Sequence, residues 1–212
     1  MDASITDAAN LVDQAAKTRR SVRDFSPEPV DLQDVARILR LGTMAPSAWN
    51  LQPWRFVIVT DPAAKQVLQG AAYNQRQVGQ APVVAVIYSN MVEALGRVDD
   101  VMHPSMPPEA KAAMRGSIEG SFASMTPEQR DQWGKAQGNI ALGYLLLLFE
   151  VHGYGTSPML GFDPASVREI LNLPDHATIP ALLAIGKSAS AHPGPPHRLP
   201  FEELARFIGD KV

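Results

Sequence analysis

The sequence predicts an α+β domain, on three observations. Helical patterns come first in the chain, apolar β-branched runs are few and separated, and one long apolar-rich helix runs through the second half. Hydrophobic residues make up 45% of the 212 positions and charged residues 19%, which is enough apolar surface for one domain spanning residues 1–212 to bury a core.

The elements follow from local physics. Ala8, Leu11, Val12, Ala15 and Ala16 recur at helical spacing and give a first helix ending near Lys17. Asp31 caps a second helix with Leu32, Val35, Ile38 and Leu39 on its buried face, stopped by Gly42. Arg55 to Thr60 alternates and is β-branched, so it reads as a strand. Asp61-Pro62 supplies an N-cap and an N1 proline for a third helix, and Pro82 to Tyr88 reads as a central strand. Met91 to Met125 carries Met, Pro and Gly in short helices with no strand, as in a lid or an insertion. Thr126-Pro127-Glu128-Gln129 is a capping box that starts a long helix reaching His152. Gly134, Gly138 and Gly143 within it each cost about 1 kcal/mol relative to Ala, which is tolerable where another backbone or a ligand comes close. Gly153 ends it, Asp163-Pro164 starts a short helix, and Ile179 to Ile185 is a further strand. Residues 188–212 form an extended arm rich in Pro, Gly and His, with a terminal helix from Pro200 to Ile208.

Composition excludes several function classes. A net charge of −3 argues against nucleic-acid and anionic-membrane partners. With no cysteine there is no disulfide, thiolate nucleophile or zinc–thiolate site, in keeping with a reducing cytoplasm. Met1 to Ala16 has acids and Asn in place of a basic and then apolar leader, so no signal peptide is expected. The most apolar window, Ile140 to Val151, is roughly half a membrane span and reads as a buried helix.

Gly153-Tyr154-Gly155 follows a helix and lacks the third glycine of a dinucleotide fingerprint. Gly186-Lys187-Ser188 resembles the end of a phosphate loop, but Ala181 stands where its first glycine belongs. His103, His152, His176, His192 and His197 have no metal-ligand spacing and read as surface residues, so no metal is expected. There is no Gly-x-Ser-x-Gly elbow for serine hydrolysis.

Two segments remain. Thr18 to Phe25 places Arg19, Arg20, Ser21 and Arg23 directly after a helix, and guanidinium forks fit phosphate bidentately. Ala45 to Trp54 is a loop of small residues, amides and indoles suited to a flat polar ring. At this separation the pair resembles the nitroreductase family of flavoproteins, and three later segments extend the resemblance. Tyr73-Asn74-Gln75-Arg76-Gln77 is similar to the family's Asn-containing stretch beside the flavin. Thr156-Ser157-Pro158-Met159-Leu160-Gly161-Phe162-Asp163 resembles its loop at flavin N5. Pro196-His197-Arg198-Leu199-Pro200 resembles its second phosphate-contacting segment. Residues 91–125 are covered poorly.

The resemblance implies a central mixed or antiparallel sheet flanked by helices and an intertwined homodimer with FMN at its interface. Arg19, Ser21 and Arg198 would hold the phosphate, Arg20 the ring or ribityl chain, and Arg23 the N1–C2 edge. Asn74 and Gln77 would bond the pyrimidine edge, while Pro46, Ser47, Ala48 and Asn50 come from the partner subunit. Pro158, Met159, Leu160 and Gly161 line the N5 side, a backbone N–H of Leu160 or Gly161 pointing at N5. No side chain is implied as an acid–base catalyst.

Asn50 and Gln52 alternatively fix their own loop by Asx-type bonds. Leu160 stands where some members have glutamate, and Gln77 and Pro196 stand where some have lysine. Trp49 either narrows the substrate pocket or packs in the dimer interface. The implied activity is a ping-pong NADH- or NADPH-dependent reduction of nitroaromatics, quinones or related conjugated acceptors. Alternatives are an enone reductase, a dehalogenase, or a flavin-sequestering protein with little turnover.

Overall fold

The computed structural model describes residues 3–190 and 196–209, with side chains in the first helix from Thr6 on. His192 lies outside the described residues.

A four-stranded sheet forms the middle layer, in the order β1-β2-β4-β3. Its strands are β1 (Trp54–Val59), β2 (Val83–Ser89), β3 (Gly155–Met159) and β4 (Thr178–Gly186). All three ladders are antiparallel. An isolated bridge between Ser21 and Thr156, on the outer edge of β3, is parallel.

Period-two alternation divides the strands between two cores. Val84 and Val86 of β2 and Leu182 and Ala184 of β4 face α3 (Pro62–Ala71), α4 (Arg76–Gln80) and α8 (Pro164–Ile170), which contribute Leu68, Val78 and Val167. Val83, Ala85 and Ile87 with Ala181, Leu183 and Ile185 face α2 (Leu32–Gly42) and α7 (Pro127–Val151), through Val35, Ile38, Leu142, Leu145 and Phe149. Burial on both faces explains why the central strands read as continuous apolar runs.

Capping explains most helix starts. Asp31 accepts from Gln33 N, Asp61 from Ala64 N and Asp163 from Ala165 N and Ser166 N, while Thr126 and Gln129 close a reciprocal capping box at α7. Two of the three α7 glycines are sites of close approach: a Cβ at Gly134 would meet Ser89 Oγ at 2.3 Å, and one at Gly138 would meet Pro180 Cγ at 2.6 Å. Gly143 faces open space within the chain. Lys65, buried under α3, spends its ammonium on the carbonyl of Ala81 at 2.6 Å, and desolvation pushes its pKa down.

Three expectations are corrected. Residues 156–159, the first half of the segment read as a loop, form β3 together with Gly155; its sequence Gly-Thr-Ser-Pro-Met lacks apolar alternation and is held by its pairing with β4. Pro158 is tolerated because β3 lies at the edge of the sheet. The terminal helix is a single turn, α9 (Phe201–Leu204), with nothing buried to extend it. Residues 91–125 are not all short pieces, since α5 (Met91–Gly96) precedes the sixteen-residue α6 (Pro108–Ala123). The first helix ends where expected, as α1 (Ala3–Thr18); of its apolar positions Ala15 is buried, while Leu11 is 61% exposed.

Candidate functional site

The Arg-rich turn is stitched to the sheet by backbone. Arg19 N donates to Ala15 O at 2.9 Å as α1 ends, and Val22 N donates to Thr156 O at 2.8 Å. Ser26 N then donates to Lys187 O, and Ala189 N to Asp24 O, both beyond the end of β4. Val22 and Phe25 are buried as anchors, while Ser21 before Val22 and Arg23 after it are exposed. Gly155 permits the close approach: a Cβ there would stand 2.6 Å from Val22 Cγ2.

Arg19 Nη1 is buried and has no hydrogen-bond partner among the described residues, and the same holds for Thr156 Oγ1 beneath the turn. A buried guanidinium nitrogen without an acceptor is costly, and an anion placed against it removes the cost. Arg20 lines a cleft of about 370 Å³ with Thr18, Glu150 and Tyr154, and its Nε donates to Thr18 O at 3.3 Å. Thr18 Oγ1 donates to Glu150 Oε1 at 2.8 Å, closing the wall of that cleft.

From Thr156, β3 runs toward Leu160 and Gly161, four residues or roughly 13 Å on at strand rise. There it meets the turn after α3. Tyr73 and Asn74 adopt left-handed φ values of 53° and 59°, an arrangement that non-glycine residues hold only under constraint. Gln75 supplies the constraint. Its Nε2 donates to Gly161 O at 2.6 Å and Ala72 O at 3.1 Å, and its Oε1 accepts from Gln77 Nε2 at 3.3 Å. Asp163 N donates to Ala71 O at 2.8 Å, a second tie between the same segments. Asp163 caps α8, and the Ser166 hydroxyl, then the Ser166 and Ala165 N–H groups, hold its pKa below the usual carboxylate value.

The 46–52 loop is organised differently. Trp49, Asn50 and Gln52 all have positive φ (52°, 57° and 44°). Side chains clamp the strained turn: Gln137 Oε1 accepts from Ala48 N at 3.0 Å, Ser47 Oγ accepts from Gln52 N at 3.0 Å, and Asn50 Nδ2 donates to Val101 O at 3.0 Å. Gln52 Nε2 donates to Asn50 O. Both amides thus brace the loop, although Asn50 does so by reaching residue 101 and not through an Asx turn.

Trp49 is anchored within its own chain by ring contacts. It stacks on Trp133 with ring centroids 6.2 Å apart and meets Phe122 edge-on at 5.7 Å. Around this trio Leu51, Met91, Met102, Ile118 and the half-buried Met106, Met114 and Met125 form a satellite core. Residues 91–125 therefore buttress the 46–52 loop.

The turn, β3 and the 73–77 segment come together along one edge of the sheet. Arg198 does not join them by any bond in the structure: its Nη1 donates to the carbonyl of His197. Among the described residues no His, Asp and Glu cluster could hold a metal ion, and no helix is long and apolar enough to cross a membrane.

The sequence profile of the nitroreductase family matches residues 16–187, from the last turn of α1 to just past the end of β4. The chain belongs to the nitroreductase family. A Thermus thermophilus relative called NADH dehydrogenase is 49% identical over 190 residues, covering 90% of this chain and 92% of that protein. A nitroreductase family protein of Streptococcus pneumoniae superposes with TM-score 0.82 at 26% identity, over 92% of this chain and 98% of that one. A protein from Exiguobacterium sibiricum, solved in complex with FMN, superposes with TM-score 0.84 at 26% identity, over 93% and 97%. For this nitroreductase-family chain, Gln75 and Gln137 are site residues that sequence reasoning missed. Each acts on a backbone group more than eighty positions away, and no local pattern signals that.

Proposed function

We propose that this protein is an FMN-dependent NAD(P)H oxidoreductase that reduces conjugated acceptors such as nitroaromatics and quinones in a ping-pong cycle. The observation that carries the reading is the buried, unpartnered Arg19 Nη1 beside the exposed Ser21, an anion site at one end of β3. The FMN-bound relative and the relative called NADH dehydrogenase support the cofactor and the donor.

Arg19, Ser21 and Arg198 hold the phosphate, and charge-assisted bonds of roughly 1.5–3 kcal/mol each supply much of the affinity. Arg20 contacts the ribityl or ring region. Arg23, fixed on the exposed side of the turn, places a permanent cation at the pyrimidine end of the ring, where it favours the reduced, anionic form. Asn74 and Gln77 match the alternating donors and acceptors of that edge. Pro158, Met159, Leu160 and Gly161 form the rim on the other side, with a backbone N–H available to N5.

When bound, FMN supplies the hydride acceptance and donation. The protein orients the planar reactants, excludes water and holds charge, so no side chain acts as a general acid or base. Donor and acceptor occupy one face in turn, and a separate dinucleotide-binding motif is unnecessary.

A homodimer completes the pocket, with Pro46, Ser47, Ala48 and Asn50 of the partner closing over the ring and Trp49 bordering the substrate space. Unsatisfied apolar surface supports this arrangement. The outer face of α7 exposes Ile140, Tyr144 and Val151 around the open Gly143, and α1 exposes Leu11 and Val12. Leu199, Phe201, Leu204 and Phe207 of the arm are also exposed.

The test is Arg19→Ala combined with Arg198→Ala. The purified wild type is expected to be yellow and dimeric by light scattering, and the double variant dimeric and colourless. Flavin retained at wild-type stoichiometry overturns the phosphate assignment, and a monomeric, flavin-replete wild type overturns the shared pocket.

A further inference from the structure

Gln75 spends its whole side chain. Both amide hydrogens go to carbonyls, Gly161 O and Ala72 O, and its oxygen accepts from Gln77. Its partner, Gly161, lies on an exposed turn between β3 and α8, and the Gly161 N–H donates to no group among the described residues. Gly161 has ordinary space around it: a Cβ would find Gln75 Nε2 at 3.5 Å and Tyr73 Cδ2 at 3.8 Å. Nothing in the chain itself, then, demands that its N–H stay free.

We propose that Gln75 is a positioning residue for the hydride-transfer edge: by clamping the Gly161 carbonyl it anchors the Gly161–Phe162 peptide, and with Met159 held in the β4 ladder on the other side this restricts the directions open to the intervening Gly161 N–H. Through Gln77 it also ties that N–H to the group facing the pyrimidine edge of the ring. The inference rests on the FMN reading above. A glycine turn without a clamp samples many peptide orientations, and a donor must be aimed before the reaction to stabilise charge at no reorganisation cost. One side chain of fixed length sets the spacing between the two edge contacts.

Gln75→Glu and Gln75→Leu test it. Glutamate keeps the shape but presents an oxygen to two carbonyls, and leucine removes the bonds without repulsion. In protein stripped of FMN, hydrogen exchange at Phe162 and Asp163 is expected to quicken about ten-fold in the leucine variant, the size of one lost hydrogen bond, and more in the glutamate variant. Lowering the pH until the carboxyl protonates restores a donor, so the ratio of Gln75→Glu to wild type should fall back toward one. In the flavin-loaded variants FMN stoichiometry stays at wild type, the flavin midpoint potential shifts, and kcat drops with little change in KM.

Wild-type exchange in both variants overturns the clamp. Faster exchange with an unchanged potential overturns its role toward the flavin. Wild-type protein that takes up no FMN defeats the parent reading, and the exchange data then still decide the clamp on their own.

Discussion

The Arg19–Arg23 turn and the Pro46–Gln52 loop both carry polar groups suited to a flat anionic ligand, but the turn leaves a buried cationic group unspent, while the loop turns its side-chain donors on its own chain. On the turn, backbone pairing with β3 does the holding, and Arg19 Nη1 stays buried without a partner among the described residues. In the loop, the side chains of Ser47, Asn50 and Gln52 and the N–H of Ala48 are all committed within the chain. A sheet edge fixes a segment by backbone pairing without using its side chains, whereas a left-handed turn that makes no such pairing must brace itself with them. The turn can therefore contribute charge, while the loop contributes shape.

Trp49→Ala separates the two most strongly. Removing a half-buried indole from the trio with Phe122 and Trp133 should cost about 2–4 kcal/mol, at or just below the range for a fully buried Trp. The loss should be local: exchange protection falls in residues 46–52 and 91–125 and is kept in residues 19–25. Protection falling equally in both regions would show that the two halves are one cooperative unit, and the contrast would be lost.

Gly155→Ala acts on the other half. Its Cβ would press on Val22 Cγ2, and with Gly186 O 3.5 Å away the strand has little room to retreat. Overpacking of this kind costs roughly 1–3 kcal/mol, and FMN affinity should fall as the turn lifts from β3. Adding Val22→Ala should recover part of both losses. A neutral Gly155→Ala would mean that close packing is not what seats the arginines.

How much was legible follows the range of the interactions. Asp31, Asp61, Thr126 and Asp163 act on N–H groups two or three residues away, so those helix starts could be read directly. The apolar runs of β2 and β4 declared their double burial. β3 could not be read, because Gly-Thr-Ser-Pro becomes a strand only through β4 on one side and the Ser21 bridge on the other. At the site, the cationic turn was visible as a cluster of residue types. The braces were not: Gln75 to Gly161, Gln137 to Ala48, and Trp49 to Phe122 and Trp133 join positions far apart in the chain.

The smallest expected effect is a pH dependence confined to one half. No residue from Pro46 to Gln52 titrates, so acid leaves the bracing of the loop untouched. The Leu160–Gly161 turn instead runs into Asp163, whose carboxylate is held by the Ser166 hydroxyl and by two backbone N–H groups of α8. Its folded pKa is depressed, so the charged form contributes stability above the unfolded value of about 3.9, and that contribution is lost as pH falls through the lower folded value. Asp163→Asn retains an acceptor oxygen without the charge. The wild type should therefore unfold at a slightly higher temperature than Asp163→Asn near neutrality, and the gap should close below about pH 4. Exchange at residues 160–163 should follow the gap while exchange at residues 46–52 does not. A gap that stays constant across the titration would place the role of Asp163 in shape alone, as in the loop.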